Sequence, residues 1–473
     1  MSREQIRADL AIIGAGSGGL SVAAGAAQLG LKVVLFEKGE MGGDCLNFGC
    51  VPSKALIASA SAAHAARGNP ALGVSSDGAR VDFPTVMQRI RAVIEEIAPI
   101  DSQERFEGLG VRVVREFAAF RDARTVESQS VSVVARRFLI ATGSTAAAPP
   151  IPGLSEVPFL TNESVFVLTE LPGRLLVLGG GPIGVELGQA FRRLGSEVVI
   201  VEAGALLGRE EPEAARVVAD QLAADGVRVM TGAAVTRVEA GPTLVVAGPD
   251  GEERIEGTHL LVATGRRPTL DGLNLADAGI EADARGVKTN ASLRSSNRRV
   301  FAVGDAAGRG QFTHLAGAQA GLFVRKALFA LPINAGGLIV PRVTYADPEL
   351  AAIGLTEAEA RKAHGEDIRV LTQAFAENDR AQAEGDTRGF AKLVATRGGK
   401  VVGVTIVGAH AGDHIHVWSL ALSAGLRLSQ LTGMIAPYPT RGEINKRLAG
   451  QWFTPTLFSP RTQKLVSLMK HFA

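Results

Sequence analysis

The chain is poor in sulfur, in aromatic side chains and in any excess of charge. Two cysteines in 473 residues exclude a disulfide scaffold, which needs several bridges in a short secreted chain. Lys plus Arg number 50 against 48 Asp plus Glu, so nothing draws nucleic acid or an anionic membrane, and the expected partners are small molecules. Nowhere do about 18 apolar residues run without a charge, and the opening MSREQIRADL has charges where a signal peptide needs an apolar core. Neither secretion nor a membrane span is indicated, and a cytoplasmic protein is expected.

What is present in quantity is glycine. Fifty-six glycines against 21 prolines, in a chain that is 46% hydrophobic, point to an α/β enzyme with many tight strand-to-helix turns, and the length calls for several domains. From Ala8 the chain reads ADLAIIGAGSGGL, an apolar strand running into Gly14, Gly16 and Gly19, then small residues to Gly30 and a second strand ending at Glu37. This is a dinucleotide fingerprint in context: the first glycine permits the turn, the second lets backbone approach a pyrophosphate, the third lets helix pack on strand, and Glu37 is placed for a ribose hydroxyl. The unit recurs in RLLVLGGGPIGVELGQAFRRLGSEVVIVE as Gly179, Gly181 and Gly184, then Gly195 and Glu202, every landmark displaced by 165 residues. Two dinucleotides are therefore expected. A carboxylate at Glu202 suits a free ribose 2′-OH and repels a 2′-phosphate, which favours NAD(H) over NADP(H), although Arg192, Arg193 and Arg209 lie close in sequence.

Both cysteines fall in MGGDCLNFGCVPSK, Met41 to Lys54, just after the first fingerprint. Pro52 suits the first turn of a helix, which puts Cys50 at that helix's positive end with Lys54 one turn on, and such neighbours lower a thiol pKa from ~8.5 into the range ~3.5 to 7.5. The pair reads as a redox dithiol; two small buried hydrophobes is the plainer alternative. The first nucleotide then has to accept hydride on one side and exchange electrons with sulfur on the other, which flavin does.

Gly-Gly-x-Cys-x4-Cys-Val-Pro-Ser-Lys after one such unit, with a second unit downstream, resembles the class I pyridine nucleotide-disulfide oxidoreductases. FLIATGS with Gly143 and HLLVATGRRP with Gly265 are similar to the family's crossings between lobes, RRVFAVGDAA with Gly304 and Asp305 to its second FAD motif, and PRVTYADPELAAIGLTE to the opening of its dimerisation domain. The resemblance implies two Rossmann-like α/β domains plus a C-terminal α+β dimerisation domain: FAD-binding residues 1–147, NAD(P)-binding residues 148–270, a second FAD-binding or central part at 271–337, and dimerisation domain with tail at 338–473.

It further implies non-covalent FAD on Gly14, Gly16, Gly19, Glu37 and Asp305, with Cys50 the thiol nearest the flavin and Cys45 the interchange thiol. Lys54 would lie by the flavin, paired with Glu186. Electrons would pass from NADH to a disulfide or related electrophile in a homodimer with a shared active site, as in dihydrolipoamide dehydrogenases.

Where disulfide-reducing members carry His-Pro-Thr-x-x-Glu, this chain reads Tyr438-Pro439-Thr440-Arg441-Gly442-Glu443. A phenol near pKa ~10 replaces an imidazole near ~6.5, a loss of basicity of roughly 4.8 kcal/mol at ~1.36 per unit. Tyr438 and Glu443 remain the candidate residues of that segment, and His410, His414 and His416 upstream are candidates to fold near it. Mercuric reductases resemble this chain in that tyrosine, which keeps a soft metal ion in view as substrate, but their C-terminal cysteine pair is missing; no resident metal site is expected. Asp44 stands where similar enzymes have threonine, and its charge should oppose thiolate formation at Cys45. His64 reads as a helix-surface residue and His314 as opening a helix beneath the flavin. The tail, with Arg461, Lys464 and Lys470 among Leu465, Leu468, Met469 and Phe472, reads as an amphipathic helix packed on the dimer or docked on a membrane or partner protein; a flavin module passing electrons to such a partner is a further alternative.

Overall fold

Apolar runs such as Leu10–Ile13, buried at every position, cannot form a strand with one wet face; they need a parallel sheet covered on both sides. In the computed structural model, which describes residues 3–248 and 251–470, strand Glu4–Ile13 pairs in parallel with Val33–Phe36 on one side and Val131–Ile140 on the other. These strands are the centre of a seven-stranded sheet. The chain returns to it much later, when Val300–Ala302 pairs in parallel with Phe138–Ile140.

A second, four-stranded parallel sheet is built from Arg228–Thr231, Glu197–Glu202, Arg174–Leu178 and His259–Val262 in that spatial order. Two connections join the sheets, and they pair with each other as a short antiparallel ribbon, Ser144–Ala146 with Arg266–Pro268. The third unit is a five-stranded antiparallel sheet, Arg342–Thr344 to Ile368–Ala374 at its edges, with helices around a core that includes fully buried Trp418. The architecture is α/β, two Rossmann-like units and a C-terminal α+β unit, as the sequence led one to expect.

The two glycine loops are geometric copies. Gly14 and Gly179 have φ of +105° and +113°, and a Cβ on Gly19 or Gly184 would lie 1.9 or 2.0 Å from the carbonyl oxygen of Gly14 or Gly179. Glycine is required there by contact rather than by flexibility. Glu37 accepts from the amides of Ala15 and Gly39, each at 2.7 Å, and Glu202 from those of Gly180 and Gly204, each at 2.7 Å. The tail forms a helix over Pro460–Met469 whose Leu465, Val466, Leu468 and Met469 are exposed; Phe472 lies outside the described residues. No helix among the described residues is long and apolar enough to cross a membrane.

Candidate active site

The sulfur pair reaches the first nucleotide loop because the residues before it have almost no side chain. Gly42 and Gly43 have φ of +87° and +63°, and a Cβ on Gly43 would lie 2.7 Å from Gly16 Cα. A short helix, Gly43–Asn47, then carries Asp44 and Cys45, and Cys50 opens the helix Cys50–Ala65, as Pro52 foreshadowed. Both cysteines are free thiols. They face a cavity of about 440 Å³ that gathers Gly16, Asp44, Lys54, Gly143, Glu186, Gly304 and Asp305.

The two sulfurs are not equivalent. The hydrogen bond from Cys45 stabilises ionised Cys50 and brings its pKa down to about 6 against the cost of burial, with Thr313 and Lys54 assisting. The same bond, with burial and the charges of Cys50 and Asp44, pushes Cys45 up, so Asp44 opposes ionisation as expected. Thr313, at the start of helix Thr313–Phe323, has Oγ1 3.5 Å from Cys50 Sγ.

Three units of the chain meet at Lys54. Its Nζ is 2.7 Å from Glu186 Oε2 on helix Pro182–Leu194, and it lies 4.3 Å from the centre of the Tyr345 ring. Glu186 Oε1 accepts the Tyr345 amide at 2.9 Å. A second polar chain runs along the lobe boundary. Arg266 donates to Asp44 Oδ1 at 3.0 Å and to Ser144 Oγ at 2.8 Å, and Ser144 donates to Asp305 Oδ2 at 2.5 Å. Burial holds the Asp305 carboxyl above its ordinary pKa.

The first glycine loop fits a dinucleotide phosphate: Gly16 faces open space with only Gly43 Cα within 4 Å of its missing Cβ, and Ser17 and Gly18 of the helix behind it line the cavity. Gly181 in the second loop has nothing within 4 Å. Gly14, Gly19, Gly179 and Gly184 shape their loops from behind, and Gly265 lies in the turn before Arg266, its Cβ position open.

Tyr438 and Glu443 do not line their own chain's cavity. Tyr438 is 70% exposed, its hydroxyl donates to Asp379 Oδ2 at 3.1 Å, and that bond holds its pKa above the ordinary value. Glu443 pairs with Arg447 at 3.1 Å. None of His410, His414 and His416 lines the sulfur cavity together with the cysteines. His414 packs beneath the Tyr438–Glu443 segment, 3.9 Å or less from a Cβ built on Gly442, and burial brings its pKa down to about 4. His64 is half-buried rather than on a free helix face, and His314 is the second residue of its helix, Nε2 2.8 Å from the Pro341 carbonyl. Among the described residues no cluster of three or more His, Cys, Asp or Glu could hold a metal ion.

Sequence reasoning missed Thr313, Asn162 and Ser144. Thr313 stands beside His314 and Ser144 closes the FLIATGS motif, whereas nothing marked Asn162.

Residues 8–320 match the family model "pyridine nucleotide-disulphide oxidoreductase" and residues 340–449 its dimerisation domain. The chain is 36% identical to a mercuric reductase of Streptomyces lividans over 457 residues, 94% of this chain and 96% of the relative. It is also 36% identical to a dihydrolipoyl dehydrogenase of Bacillus subtilis (strain 168) over 455 residues, again 94% and 96%. Among solved structures it is similar to the HOCl-induced flavoprotein disulfide reductase RclA from Escherichia coli, with a TM-score of 0.83 and 28% identity over 93% of this chain and 99% of that one. A Cu(II) complex of RclA superposes with a TM-score of 0.82.

Proposed function

Because the chain belongs to the class I pyridine nucleotide-disulfide oxidoreductases and is thereby an FAD-dependent oxidoreductase, we propose that it takes electrons from NADH and hands them, through Cys45 and Cys50, to a small electrophilic acceptor, a disulfide in the first instance. Bound FAD supplies the hydride acceptor for the nicotinamide and the electron donor for the sulfurs. Gly14, Gly16, Gly19, Glu37, Gly143, Gly304 and Asp305 would hold it, and Gly179, Gly181, Gly184, Glu202 and Gly265 the nicotinamide dinucleotide.

The observation that carries this reading is that both free cysteines face a cavity walled by the first glycine loop and the Lys54–Glu186 ion pair. With a disulfide acceptor, the Cys45 sulfur attacks one acceptor sulfur and releases the first product thiol. Cys50 then displaces the second and closes the Cys45–Cys50 bond. Two electrons leave the protein, and the two protons given up by the cysteines end on the product thiols. Lys54, fixed by Glu186, favours the anionic form of Cys50. Two of the three arginines near Glu202 in sequence are committed elsewhere: Arg192 to the Asp225 and Ser196 carbonyls, Arg193 to Asp225 and Asp347. That supports NADH over NADPH. The dimerisation-domain match supports a homodimer.

A soft metal cation as substrate is the second reading, and Tyr438 favours it. A leaving thiolate needs a proton from a nearby acid–base group, which a phenol held to Asp379 serves poorly. Reduction of a cation by a dithiol releases protons and needs none.

Anaerobic titration of the purified protein with NADH and then NADPH, followed by lipoamide and soft metal salts as acceptors, tests both. We expect a yellow protein that NADH bleaches more readily than NADPH. Cys45→Ser and Cys50→Ser should still bleach but lose acceptor turnover by ~100-fold or more. A protein that binds no flavin, or serine variants that keep turnover, would overturn the proposal.

A further inference from the structure

Asp44 has more partners than a surface carboxylate beside a cysteine needs. Its Oδ1 is 3.0 Å from a guanidinium nitrogen of Arg266, whose side chain is 12% exposed, and accepts from Asn162 Nδ2 at 3.1 Å. Asn162 is itself buried and also donates to the Phe48 carbonyl at 3.2 Å, inside the loop between the cysteines. At the loop's far end a Cβ on Gly49 would meet Asp44 Oδ2 at 2.8 Å, so the carboxylate spans from Cys45 to the residue before Cys50. Asn162 and Arg266 lie on the second lobe and its return ribbon, whereas Asp44 belongs to the first.

We propose that Asp44 is a positioning residue for the sulfur pair: it clamps the Cys45–Cys50 loop to the ribbon and second lobe through Arg266 and Asn162, and balances an arginine charge that would otherwise act on the sulfurs alone. How readily the pair ionises is then set by an Asp–Arg couple rather than by Lys54 and the helix end only. The other titratable groups lining this cavity are Glu186 and Tyr345, both against Lys54, and Asp305 and His314; none of them bonds Asp44. The proposal rests on Cys45 and Cys50 being the reactive pair.

The test is labelling of the reduced holoenzyme with iodoacetamide across a pH series, with the Cys50 adduct measured by mass spectrometry. Asp44→Asn removes the charge and keeps the shape, so near pH ~5 Cys50 should label roughly three- to tenfold faster than in the parent. Arg266→Gln should label more slowly, and the double variant should return towards the parent. Asn162→Ala, which keeps both charges, should leave the pH midpoint in place while amide exchange across residues 44–50 quickens. Superimposable pH profiles for Asp44→Asn and the parent, or for Arg266→Gln and the parent, would overturn the proposal. Labelling needs no turnover: serine variants that keep full turnover would defeat the reading of the cysteines, whereas unchanged profiles defeat only the role of Asp44.

Discussion

Cys50 draws its acidity first from Cys45 beside it and then from Thr313 and Lys54, and the distant one of these, Thr313, can be altered almost without changing shape. Thr313 lies 263 positions along the chain, yet its hydroxyl is within bonding distance of the sulfur and favours the anion. Thr313→Val replaces the hydroxyl by a methyl and should raise the Cys50 midpoint from about 6 by up to about one unit. The sign follows from the protonation states: the bond stabilises the thiolate, so its loss favours the thiol, and reactivity that rises through the midpoint appears at higher pH. Iodoacetamide labelling against pH measures it, and a midpoint that stays or falls would show that the hydroxyl bonds elsewhere in solution. Lys54 acts in the same direction from its place against Glu186, but its removal also leaves a buried carboxylate unpaired and is the less clean probe.

At the scale of elements, the strand–loop–helix copies were legible because each local contact is written in a local pattern. The 165-residue displacement between Gly14 and Gly179 or Glu37 and Glu202 reappears as matching φ angles and matching carboxylate-to-amide bonds. Pro52 likewise announced a helix start at Cys50. What stayed hidden were partners chosen by the tertiary fold. Asn162 reaches Asp44 across 118 positions, and nothing near Asn162 in sequence marks it. The fate of the histidines was hidden too, since a Gly-Asp turn gives no hint that His414 would be covered by the segment around Gly442. The copies also permit a separable prediction. A methyl at Gly184 meets the Gly179 carbonyl oxygen at 2.0 Å, so Gly184→Ala forces helix and loop apart at a cost of about 1–3 kcal/mol. It should weaken NADH binding by roughly tenfold or more while leaving flavin content intact, and Gly19→Ala should do the reverse, depleting flavin. Flavin absorbance of the purified variants and an anaerobic NADH titration measure the two effects; equal loss of both ligands in either variant would mean the loops do not act as separate sites.

For the whole molecule, the second lobe is tied to the C-terminal unit by buried charge. Lys392 is 4% exposed and meets Glu211 at 3.0 Å and Glu357 at 2.7 Å, with Glu213 also against it, while Arg193 joins Asp225 to Asp347. With the units held in this way, Tyr438 and Glu443 stay outside the cavity of their own chain, and Tyr438 is 70% exposed, with Ile435 just before it in the chain 91% exposed. Because neither residue lines that cavity and the segment is matched by a dimerisation domain, we propose that Tyr438 and Glu443 serve the sulfur pair of the other subunit. Mixing two defective variants tests this. Cys45→Ser lacks a sulfur, and Glu443→Gln lacks the carboxylate. In a mixed dimer one cavity would combine intact cysteines from one chain with an intact Glu443 from the other. If chains exchange at random, half the dimers are mixed and each regains one site of two, so about a quarter of the parent turnover should return from two preparations that separately have little. Turnover that never exceeds the sum of the separate preparations, with subunit exchange verified by native mass spectrometry, would show that Glu443 does not act across the subunit boundary.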